Sequence, residues 1–128
     1  MSLTSKQEEL LTAFQYGNKE KALGLLKVTS KPEEINKYNW TLLHYAARLG
    51  WTDVCQLLIQ QYHIDPHCKN SSFGRTALHE ACDYGYTETV KYLVCHAHCD
   101  PLTRDYRGFT PFDKSDGVTR HFLQEIIG

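Results

Sequence analysis

The chain has 128 residues, 14 Lys+Arg against 15 Asp+Glu, and a formal net charge of −1. This is one domain's length of chain, and the lack of a basic surplus argues against nucleic acid or an anionic membrane as a partner. Apolar residues make up 41% and aromatics 12%, enough for a core, yet no apolar run is long enough to span a bilayer.

The chain opens Met1-Ser2-Leu3-Thr4-Ser5-Lys6-Gln7-Glu8-Glu9, without the apolar stretch or cleavage site of a secretory signal. Five cysteines, Cys55, Cys68, Cys82, Cys95 and Cys99, are an odd number. Together these point to reduced thiols and a cytoplasmic location. Leu10-Leu11-Thr12-Ala13-Phe14 leads to Gly17, and Ala22, Leu25 and Leu26 follow at helical spacing. Residues 1–35 are thus expected to form an N-terminal capping helix pair, with Ser5, Lys6, Gln7, Glu8, Lys19, Glu20 and Lys21 on its polar outer face.

A repeat follows. Thr41-Leu42-Leu43-His44-Tyr45-Ala46-Ala47-Arg48-Leu49-Gly50 matches Thr76-Ala77-Leu78-His79-Glu80-Ala81-Cys82-Asp83-Tyr84-Gly85. The same 35-residue offset aligns Thr52 with Thr87, Leu58 with Leu93, Asp65 with Asp100, and Pro66 with Pro101. A third start, Gly108-Phe109-Thr110-Pro111-Phe112-Asp113, opens a shortened last unit. The units divide as 36–69, 70–104 and a C-terminal capping unit at 105–128. Within each, Thr41, Thr76 or Thr110 can N-cap a first helix, and Gly50 and Gly85 supply its left-handed end. Thr52-Asp53 and Thr87-Glu88 start a second helix with an acidic first turn. Val54, Leu57 and Leu58, and likewise Val90, Leu93 and Val94, give that helix one apolar face. Asn36 to Asn39, Asn70 to Gly74 and Asp105 to Gly108 read as Asx-initiated turns, with Gly or Asn supplying positive φ. One such helix pair cannot bury its own apolar face, so the units must stack.

Gly74-Arg75-Thr76-Ala77-Leu78-His79-Glu80-Ala81-Cys82, its copy at Thr41 to Ile59, and Gly108 to Asp113 resemble the ankyrin repeat family. The resemblance is strong from Asn36 to Phe112 and weaker over the two ends. Leu42 and Ala77 replace the usual proline, Asn39 stands for the first finger's glycine, and some loops are longer. It implies an all-α helix-turn-helix solenoid with β-turn fingers, comprising an N-terminal cap, two full repeats and a truncated last unit. It also implies a non-catalytic module without a cofactor. Such a module would bind a partner protein or peptide through a concave face of finger tips and first helices.

Carried over position by position, the partner-binding residues are Tyr38, Trp40, Phe73, Arg75, Tyr106, Arg107 and Phe109 on the fingers. Tyr45, Arg48, Glu80, Asp83 and Tyr84 join them on the first helices, and Trp51 and Tyr86 rim the groove. Turns usually favour small polar residues, so rings there suit binding anchors better than turn chemistry. Trp40 and Phe109 are the rings most suited to a partly structural role. The charges are mixed, and the sequence does not choose the sign a partner should carry. A monomer is expected.

Two other chemistries are weaker fits. His79-Glu80-Ala81-Cys82-Asp83 resembles the His-Glu-x-x-His zinc-protease pattern, but Asp83 stands where the second histidine should be. A hydrolase would need His79 to line an open pocket. Cys95-His96-Ala97-His98-Cys99 is rich in soft ligands, which makes a metal- or redox-responsive module the alternative reading. It lacks a Cys-x-x-Cys pair, and Cys95 is expected to face the core.

Overall fold

Four threonines start four helices by the same chemistry. In the computed structural model, which describes residues 3–128, the first helices are α1 (Ser5–Gln15), α3 (Leu42–Arg48), α5 (Ala77–Asp83) and α7 (Pro111–Lys114). Their N-caps are Thr4, Thr41, Thr76 and Thr110. Each hydroxyl accepts the amide N–H three residues on, and the side chain there (Gln7, His44, His79 or Asp113) accepts the threonine's own N–H. This reciprocal pairing satisfies amides that a helix start leaves free. The second helices are α2 (Lys19–Leu26), α4 (Thr52–Gln60), α6 (Thr87–Cys95) and α8 (Gly117–Ile127).

Helices of seven to nine residues are too short to be stable alone, so the stack supplies their stability. The first helices form one layer in the order α1, α3, α5, α7, and α2, α4, α6 and α8 lie behind them. The core runs between the layers through Leu10, Phe14, Leu26, Leu43, Leu58, Leu78, Leu93 and Leu123, all essentially without solvent contact. Ala46, Ala47 and Ala81 are buried where first helices meet, and their small side chains allow close approach. Polar rungs join neighbouring second helices: Thr52 Oγ1 to Thr89 Oγ1 at 2.7 Å, and Thr87 Oγ1 to Thr119 Oγ1 at 2.6 Å.

The loops between units project as fingers. In the first, β1 (Asn36–Lys37) pairs antiparallel with β2 (Trp40–Thr41). Tyr38 and Asn39 connect them with φ of 57° and 60°, the two left-handed residues of a type I′ hairpin. In the second, Asn70 Oδ1 accepts the amides of Phe73 and Arg75. In the third, Asp105 Oδ1 accepts those of Arg107 and Phe109. Backbone bonds then zip the fingers together: Ser71 N–H donates to Tyr38 O at 2.7 Å, and Tyr106 N–H to Phe73 O at 2.9 Å.

Two expectations are corrected. Gln7 is not on the polar outer face. It is buried, because its amide serves the Thr4 cap and its Nε2 donates to Ser30 O at 3.1 Å. Cys95 does not face the core: it is exposed at the end of α6, while Cys99 is the buried thiol. The rest of α6 shows why, since Val90 and Leu93 already fill the inner face.

Candidate functional site

The fingers hold three rings in sequence along the stack. Tyr38 and Tyr106 are each 66% exposed and Phe73 is 51% exposed. Tyr38 sits in the left-handed region, which a bulky L-residue adopts only at a cost, and hydrogen bonds of the hairpin and of Ser71 hold it there. Tyr106 lies flat over Gly74, where a Cβ would overlap its ring. Gly74 also has φ of 68°, so the position excludes a side chain twice over. Gly74→Ala is therefore expected to cost more stability than Gly108→Ala, whose position has φ of 85° but open space around it. The left-handed strain common to both is roughly 1–2 kcal/mol. The excess, read by chemical denaturation, measures how firmly Gly74 seats the Tyr106 ring.

The other two finger rings are anchored from below. Trp40 is half-buried, with its ring 5.5 Å from His44 and 5.8 Å from Tyr45. Phe109 is exposed, and Lys114 Nζ lies 4.3 Å from its ring centroid. Arg107 is exposed beside them. On the first helices, half-buried Tyr45 receives a hydrogen bond at its hydroxyl from Gln15. Arg48 Nε donates to Tyr84 Oη at 3.0 Å, and its guanidinium lies 5.4 Å from that ring. This pair ties α3 to α5 across the exposed side. Trp51 packs against Phe14 at 5.7 Å and Tyr86 covers Gly50, so both brace the preceding unit.

Glu80 is the clear correction among the proposed contact residues. It is 4% exposed, because Arg75 reaches down from the finger to pair with it at 2.6 Å. The same guanidinium meets Asp83 at 3.3 Å, and the Arg75 side chain is itself only 12% exposed. Arg75 and Glu80 therefore lock a finger to its own helix and do not present free charge. The sequence placed these residues near one another, but not their order of burial.

The two histidines have the same job one unit apart. His44 Nδ1 accepts the Thr41 N–H at 3.1 Å, so the ring's proton is on Nε2, which donates to Arg75 O at 3.0 Å. His79 repeats this with Thr76 and Phe109 O. Each histidine thus ties its own helix start to the next finger. Burial pushes the His44 pKa from 6.5 down to about 4, and lowers that of His79. His79 is fully buried and bonded to its own turn, which excludes the open pocket a hydrolase would need.

The cysteine-rich loop does not assemble a ligand set. Among the described residues no group of three or more His, Cys, Asp or Glu side chains is placed to hold a metal ion. All five cysteines are free, and burial raises the Cys55, Cys82 and Cys99 thiols to about 12. Thiols so raised are poor nucleophiles.

The stacked two-layer array and zipped fingers define a helical-repeat protein. The family model described as ankyrin repeats (3 copies) matches residues 10–105. The chain belongs to the ankyrin repeat family, whose members are generally protein–protein interaction modules and typically non-catalytic. The match takes in the unit before Asn36, where the sequence shows only the rhythm of the repeat. No curated protein sequence matches the chain. Among the described residues no helix is long and apolar enough to cross a membrane.

Proposed function

We propose that this chain is a non-catalytic recognition module that holds a segment of a partner protein against its finger tips and the exposed sides of its first helices. The observation that carries this reading is the row Tyr38, Phe73, Tyr106, one ring per successive finger, each more than half exposed. Large rings cost core-building apolar area when left in water, and they are the side chains that most often dominate binding energy. Tyr84 and Phe109 extend the surface, with Trp40 and Tyr45 as half-buried support. The five free thiols favour a reducing, cytoplasmic compartment.

The test is quantitative capture of partners from cell extract by the wild type and by Tyr38→Ala/Phe73→Ala/Tyr106→Ala. Capture should fall while the far-ultraviolet circular dichroism stays nearly unchanged. If the triple variant unfolds, the rings belong to the core and the proposal fails. Tyr38→Gly sharpens the result. Glycine relaxes the left-handed strain, so this variant should be as stable as the wild type or slightly more so, and still bind less well.

A further inference from the structure

Which charge a partner should carry follows from how the face spends its own charges. Between the second and third fingers lies a cleft of about 430 Å³ lined by Ser72, Phe73, Arg75, Asp105, Tyr106, Arg107 and Lys114. That is room for a few side chains of an extended segment. Two of its walls are apolar rings, Phe73 and Tyr106, fixed relative to each other by the Tyr106 N–H to Phe73 O bond.

The charged groups around the cleft divide into engaged and unengaged. Arg75 is held by Glu80 and Asp83, so one cation and two carboxylates are tied up together. Asp105 spends Oδ1 on the amides of Arg107 and Phe109. Among the described residues Arg107 has no ion pair and no side-chain hydrogen bond, and Lys114 meets only the Phe109 ring. Further along the same face Arg48 is bonded to Tyr84 and to no carboxylate. Arg107 and Lys114 are therefore the cations of this cleft with no carboxylate partner, whereas Glu80, Asp83 and Asp105 each already accept at least one bond within the fold.

We infer that the cleft between the second and third fingers takes a peptide segment carrying an aspartate or glutamate next to a large apolar side chain. The carboxylate would meet Arg107 and Lys114, and the apolar group would lie between Phe73 and Tyr106. This deepens the proposed recognition role and rests on it. A carboxylate also adds charge-assisted bonds that a neutral side chain cannot, and the cations speed encounter with an acidic segment.

The probe is a display library of random twelve-residue peptides selected on the whole chain. The expected result is enrichment of Asp or Glu beside Leu, Ile, Met, Phe or Trp. Replacing that acid by Gln in a selected peptide should weaken binding about ten-fold, and Arg107→Glu/Lys114→Glu should weaken the original peptide at least as much. The Gln peptide is tested on the wild-type protein, so the inference stays open to refutation even if the charge-reversed variant does not fold. Enriched peptides that are neutral or basic, yet still need Tyr38, Phe73 and Tyr106, would overturn this inference and leave the recognition role standing. A selected peptide that gains markedly when phosphoserine replaces its acid would reassign the site to a phosphorylated partner and overturn the carboxylate. Failure to enrich any sequence would overturn both.

Discussion

Leu58→Ala or Leu93→Ala is expected to remove roughly 2–5 kcal/mol of stability, a large part of what a small domain has. Both side chains are without solvent contact, and they are the same residue of successive repeats. Each sits on a second helix that packs against its own first helix and against the second helix of a neighbouring unit. A cavity there loosens contacts within the unit and between units together. In a stacked array stability is close to a sum of unit terms and nearest-neighbour terms, and this array has few neighbours. A site shared by both kinds of term is therefore the most damaging place to delete methyl groups. Leu57→Ala is the control. It lies on the same helix but is only partly buried, so it should cost clearly less. Urea denaturation followed by circular dichroism compares the three, and equal losses at Leu57 and Leu58 would contradict the assigned inner face.

The fold was legible because the same local chemistry is written more than once. Threonine caps and the glycines after the first helices recur at 35 residues, and an i, i+3, i+4 apolar face follows each, so accident at one copy is corrected by the other. The N-terminal unit was less legible because its cap is Thr4–Gln7, with glutamine doing what histidine does later. The signal was available: a threonine followed three residues on by a side chain able both to accept and to donate. The face was less legible than the fold. Exposure of Tyr38, Phe73 and Tyr106 follows from their place in turns, but the burial of Glu80 depends on Arg75 folding back from a loop. Sequence spacing does not encode such a reach. The exposure of Cys95 needs no such reach: two residues past Leu93 it lies about 200° around the helix from the buried face, which the spacing alone encodes.

Acid should weaken the stack before ordinary carboxylates titrate. Above the unfolded pKa of 6.5 His44 is neutral in both states and contributes no pH dependence. Between 6.5 and about 4 the unfolded chain takes up a proton that the native ring cannot, so stability falls as pH falls through that window. Below about 4 both states are protonated at this site and its contribution levels off. A shift of this size corresponds to about 3 kcal/mol for His44, with a further loss of the same sign from His79. The physical cause is plain in the bonding. A proton on Nδ1 would point at the Thr41 N–H it now accepts, breaking the cap while the ring is out of water.

The carboxylates act lower. The Thr110 amide bond holds Asp113 below 3.8, and at Asp105 burial pushes the carboxyl up but the Phe109 and Arg107 amides, with the nearby His79 and Arg75, together bring it below 3.8. Their stabilisation is complete above 3.8 and is lost only as pH falls below it, so the window from 6.5 to 4 belongs to the histidines. The α1 cap supplies the decisive variant. Gln7 accepts its threonine's N–H and donates to the loop ahead without carrying a titrating group. His44→Gln should therefore keep both bonds, hold most of the stability at pH 7.5, and flatten the pH dependence in that window. Denaturation midpoints measured from pH 7.5 to 4.5 decide it. A wild type as stable at pH 5 as at pH 7.5, or a variant as acid-sensitive as the wild type, would remove the histidines from this role.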